Sequence, residues 1–181
     1  MISNDYFDAA LLIGESNIQK ISQKKFLELD FETKVGMLIN KITNEALEDN
    51  NLKILDISDK FLLAKVAFFH HWTGVLMDSY LKKKGKKLNS EWLARSFIGY
   101  FSLNKNFTDE YYAEQYSITN KQFIGMLDEA KKNKIAKEIT ETYSTLISAY
   151  IDNKGLNFKK NINFKEIFKN QLLACFEMIG N

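Results

Sequence analysis

The sequence predicts an all-α fold, a single-domain bundle of about seven or eight helices around a buried helix at residues 58–84. Three observations carry that prediction. Along most of the chain, apolar residues recur at steps of three and four, the spacing of a helix face. Proline is absent from all 181 residues, which suits helices joined by short turns. The stretch from Ser58 to Lys84 is the longest apolar segment, and from Phe61 onward it is apolar on every helical row. A helix hydrophobic all round belongs inside a bundle or a membrane. Lys65, His70 and His71 interrupt this one, leaving fewer than the ~18 apolar residues a membrane span requires.

In chain order, Ser3 caps an expected helix at 4–13, with Tyr6, Phe7, Ala10 and Leu11 inward and Gly14 at its end. Residues 15–29 read both ways: Ile18 and Ile21 fit a helix, while Leu27, Leu29 and Phe31 alternate as a strand would. Asp30 caps a helix to Glu48 that turns Val35, Leu38, Ile39, Ile42 and Leu47 to one side. Residues 53–57 are extended in this reading and can pair with 26–31 as two short strands. Ser58, with Asp59 in the first turn, opens the buried helix. Three lysines and Gly85 close it, where cations and a left-handed exit are favoured.

Asn89 or Ser90 caps a helix from Glu91 to Leu103, and Thr108 a shorter one beginning Asp-Glu-Tyr-Tyr. Thr119 with Gln122 has the spacing of a capping box for a further helix through Lys132. Ile135, Ile139, Tyr143, Leu146, Ile147, Tyr150 and Ile151 form the cleanest amphipathic stripe, ending at Gly155. Asn163 caps the last helix, whose inner face is Phe164, Ile167, Phe168, Leu172, Phe176 and Ile179. One domain spans 1–181. The lysine-rich run near 82–90 is the nearest thing to a subdivision.

Composition bounds the function classes. The chain is 45% hydrophobic and 27% charged, as globular proteins are, and a net charge of +2 is too small to argue for nucleic acid. Lysine clusters at 82–87, 131–137 and 159–160 leave non-specific phosphate contact as a minority reading. Cys175 is the only cysteine, so neither an internal disulfide nor a multi-cysteine metal site is available. The acidic start, Met-Ile-Ser-Asn-Asp-Tyr-Phe-Asp, lacks the basic flank of a signal peptide, so a cytoplasmic location without a membrane span is expected. Arg95 is the sole arginine; with abundant Asn, Ile and Phe this reads as the codon bias of an AT-rich bacterium, phage or mobile element.

His70 and His71 are the only histidines. Adjacent residues on a helix point about 100° apart and cannot chelate one ion together. They read first as core residues hydrogen-bonded to neighbouring helices, and second, with Trp72, as the edge of a ligand pocket. Arg95 follows Glu91 by one turn, the spacing of a helical ion pair; its planar fork also suits a partner's carboxylate or a phosphate. Trp92 and the cluster Tyr111, Tyr112 and Tyr116 read as contact aromatics for a partner protein. The sequence carries no glycine-rich phosphate loop, no nucleophile elbow and no His-Glu-x-x-His or Glu-x-x-His metal pattern. No cofactor is therefore expected. The leading expectation is a non-enzymatic protein that binds another protein as an adaptor, inhibitor or immunity-type factor, with self-association open. The alternatives are a ligand-binding or enzymatic bundle with its pocket beside His70, His71 and Trp72, and a nucleic-acid-associated protein.

Overall fold

The computed structural model describes residues 30–153 and 163–180. These form six α-helices: α1 (Phe31–Glu48), α2 (Lys60–Lys83), α3 (Trp92–Phe101), α4 (Asp109–Lys132), α5 (Lys134–Asn153) and α6 (Phe164–Ile179), with one 3₁₀ turn at Ile54–Asp56. Among the described residues there is no strand. The helix expected at 4–13, the ambiguous segment 15–29 and Gly155 lie outside them.

α1 begins where Asp30 predicts. Its carboxylate accepts from the Thr33 backbone N–H at 2.9 Å and from the Thr33 hydroxyl at 2.8 Å. Val35, Leu38, Ile39, Ile42 and Leu47 all turn inward. α2 is capped one residue later than the sequence implies. Asp59, not Ser58, accepts from the N–H groups of Phe61 and Leu62. Its far end closes on Gly85, at φ +76°, with Gly85 N–H donating to Lys82 and Lys86 N–H to Leu81. That paired arrangement satisfies carbonyls the last turn would leave bare. α2 packs against each of the other five helices, and every residue from Val66 to Gly74 is buried. At Gly74 the neighbours come close: a Cβ there would stand 3.0 Å from Leu93 and 3.5 Å from Ile39.

Two sequence expectations are corrected. Residues 53–57 are not a strand. Their apolar members Ile54 and Ile57 drop into the core, and the Asn104 amide donates to both of their carbonyls, at 2.8 and 2.7 Å. A side chain supplies the partners that a second strand would have offered. Nor does a helix start at Thr119. α4 runs unbroken from the Thr108 cap, and Thr119 sits buried within it, accepting from the Gln115 side chain at 3.0 Å. The capping spacing occurs in a stretch with no helix breaker, so propagation wins over a fresh nucleus.

Buried side chains from all six helices join one apolar cluster, with Trp72, Tyr143, Phe68, Phe69 and Phe168 among the largest. Cys175 of α6 is fully buried in it, and burial pushes its thiol well up from the ordinary range. No described helix is long and apolar enough to cross a membrane.

Candidate functional site

The histidine pair divides between two sides of α2. His70 Nε2 lies 2.9 Å from Asn40 Oδ1 on α1, and its ring stacks on Tyr100 at 4.8 Å with Phe97 and Phe101 edge-on. His71 Nε2 lies 3.1 Å from Asn120 Oδ1 on α4, between Tyr116 and Phe123. Burial lowers both rings, His70 to about 3 with help from its neighbour His71, and His71 to about 4, Asn120 pulling the other way. Each is thus neutral at pH 7 and donates Nε2–H to an asparagine oxygen. Trp72 is buried beside Tyr143, at 4.8 Å, and its indole N–H has no partner among the described residues. Among the described residues no cluster of three His, Cys, Asp or Glu side chains stands close enough to hold a metal.

Arg95 does not pair with Glu91. Its Nη2 donates to Glu32 Oε2 on α1 at 3.1 Å, and the other Glu32 oxygen accepts the Asn89 backbone N–H. Glu91 occupies the N-cap position of α3, where the chain is still turning, and its own N–H is held by Asn89 Oδ1. The arginine therefore bridges helices instead of bracing its own. Trp92 is only 3% exposed: its Nε1–H donates to Asp78 at 2.9 Å, and Asp78 also pairs with Lys82. The surface role expected of this tryptophan is corrected accordingly, since a long apolar ring with one buried carboxylate partner is held inward.

Between α1 and α3 the surface opens into a cleft of about 340 Å³. Its walls include Glu32, Met37 and Asn40 from α1, and Trp92, Arg95 and Tyr100 from α3; Gly36, Ser96 and Gly99 leave it unfilled. The floor is fixed from behind, since the Tyr100 hydroxyl donates to Asn44 at 2.7 Å and Asn40 is held by His70. The structure thus brings Trp92 and Arg95 together at one cleft and sets His70 directly beneath its floor. His71 and Trp72 are not among its lining residues.

Of the tyrosines, Tyr112 is 1% exposed, its hydroxyl donating to the Asn104 carbonyl at 2.5 Å, so it offers nothing to a partner. Tyr111 is half-buried and stacks on Phe107 at 4.8 Å, with Lys60 above its ring. Tyr116 is half-buried against Phe97 and His71. The three expected contact aromatics thus shrink to two partly open rings.

Sequence reasoning missed a polar seam on α1. Lys41 is buried, with Nζ 3.0 Å from the Tyr150 hydroxyl and 3.5 Å from Glu45. Burial lowers the lysine and raises the glutamate, the mutual attraction opposing both. The available signal was Asn40, Lys41, Asn44 and Glu45 as two polar i, i+4 pairs on a helix whose inward residues are otherwise mostly aliphatic.

The second open feature is the far half of the α4–α5 hairpin. Asn133, in extended conformation, makes the turn, and its side-chain oxygen accepts from Ile135 N–H at 3.0 Å. From Ile124 to Thr142 only Ala130 is buried. Ile135 and Ile139, the start of the cleanest apolar stripe in the sequence, are 68% and 42% exposed; Ile118 and Ile124 are exposed on α4. The stripe sinks into the core only from Tyr143 onward.

In comparisons with protein families, curated proteins and solved structures, the chain matches no family model, no curated protein and no solved structure.

Proposed function

We propose that the chain works by binding another protein, as an adaptor, inhibitor or immunity-type factor, and not by catalysis. The observation that carries this reading is the uncovered turn Ile135/Ile139. Two β-branched aliphatic residues one helical turn apart, standing in solvent, forgo the stabilisation that burying each would bring, about 1.5–3 kcal/mol. A partner that covers them recovers it. The flanking Lys131, Lys134 and Lys137 each lie near an acid one turn away on the same helix, at 3.8, 3.9 and 3.8 Å. Those mixed charges resemble an interface rim more than a phosphate-binding stripe. The histidines also favour the reading, since both are spent on asparagines and stay uncharged near neutral pH, poor circumstances for proton transfer.

Replacing Ile135→Asp and Ile139→Asp together tests the proposal. Both side chains are exposed, so stability should change within about 0.5 kcal/mol. Co-purification of a partner from the native host should be lost, whereas Tyr111→Ala in the same assay reports whether the tyrosine side contributes. An intact partner complex in the double variant removes this surface from the proposal.

A further inference from the structure

We propose that the cleft between α1 and α3 is a binding site for a small organic monocarboxylate, with its acid group on Arg95 and its apolar body over Met37 and Tyr100. The inference goes beyond the protein-binding reading and involves different residues, so either can fail without the other. It rests on a census of donors and acceptors around the cleft. Each carboxylate oxygen there already accepts one hydrogen bond. Asp30 holds Thr33 through both oxygens, and Glu32 holds Asn89 N–H with one and Arg95 with the other. The carbonyl oxygen of Asn40 takes the His70 N–H. The donors, in contrast, are in surplus. Arg95 has five N–H bonds, of which one is used among the described residues, and its side chain is 60% exposed. Because His70 claims the oxygen of Asn40, the amide N–H₂ of that residue is left for the cleft side. The Ser96 hydroxyl on the cleft wall is also buried with no partner among the described residues, and a ligand that brings acceptors would satisfy these idle donors.

The charge of the ligand follows from the same residues. Asp30 and Glu32 against Arg95 leave the lining acidic by one unit, which penalises a dianion such as phosphate more than a single carboxylate. The guanidinium fork matches a carboxylate bidentately. Size follows from the volume, about 340 Å³, which is at the small end of ligand pockets. Preorganisation comes from the layer beneath, where Asn44 fixes Tyr100 and the neutral His70 fixes Asn40.

Because Arg95 is the only arginine, its Nε–H gives a single guanidinium resonance in a ¹H–¹⁵N spectrum of the intact chain. Titration with phenylacetate should shift that resonance saturably, with a Kd of about 1 mM for so small a probe, and should shift the side-chain amide of Asn40. Inorganic phosphate should act at least tenfold more weakly, and benzylamine not at all. Gly99→Trp fills the cleft from a position where an added Cβ meets nothing within 4 Å, and should abolish the response. Asn40→Asp supplies a second variant: it keeps an oxygen for His70 while replacing the two N–H donors, and should weaken binding at least tenfold. Three outcomes overturn the proposal: no saturable shift, a response from phosphate equal to that from phenylacetate, or an undiminished response in both variants with native melting curves.

Discussion

At the scale of single residues, the two histidines set an acid limit on stability. In the unfolded chain each takes up a proton near pH 6.5; in the folded chain His70 waits until about 3 and His71 until about 4. Between those limits the unfolded state binds more protons, so folding is fully favoured above about pH 6.5 and loses ground as the pH falls. The expected slope is up to ~1.4 kcal/mol per pH unit for each ring until its folded value is reached. Urea midpoints measured at pH 7 and pH 5 should therefore differ, and His70→Gln and His71→Gln should each flatten the dependence. A slope unchanged from the wild-type one in both variants would show that carboxylates alone carry it. The core placement of these imidazoles was legible from their setting in an apolar run. Their partners were not, because Asn40 and Asn120 lie 30 and 49 residues from the rings they hold, and only the fold joins them.

At the scale of elements, glycines separate close packing from mere permissiveness. Gly74 is the point where α1 and α3 approach α2, so Gly74→Val should cost about 1–3 kcal/mol through overpacking against Leu93 and Ile39. Gly99 lies in α3 with open space around it, and Gly99→Ala should raise stability by up to about 1 kcal/mol through helix propensity. Thermal melts of the pair should move in opposite directions. The start of α1, the end of α2 at Gly85 and the start of α6, where Asn163 accepts from Glu166 N–H, were readable because caps are local chemistry. The unity of α4 was not readable. The spacing of Thr119 and Gln122 fits a helix start and a helix interior alike, and Gln115, one turn earlier, ties Thr119 into a helix already running. The turn at 54–56 failed for a similar reason: Ile54 and Ile57 do belong to the core, but the hydrogen bonds come from Asn104, about fifty residues on.

At the scale of the molecule, the all-helical character of the described residues followed from periodicity and the absence of proline, both properties of the whole chain. The candidate sites were legible only in fragments. Arg95 stood out by its rarity and Trp92 lay beside it, yet the opposing wall of the cleft comes from α1, about sixty residues earlier. That Ile135 and Ile139 are exposed was not legible, because an amphipathic stripe states only that one side is apolar, not where its cover ends. The covering helices meet this stripe from Tyr143 onward and leave the first two turns outside.

The lone thiol has a practical corollary. Cys175 is sealed beneath the surface, and its acidity is suppressed, so an aromatic disulfide reagent has no sulfur to attack until the bundle comes apart. Its labelling rate is then a clock for opening, one event per molecule, with no engineered tag. Added denaturant should accelerate that clock in step with unfolding followed by circular dichroism. Fast labelling of the native protein would mean that α6 detaches by itself while the rest of the bundle holds.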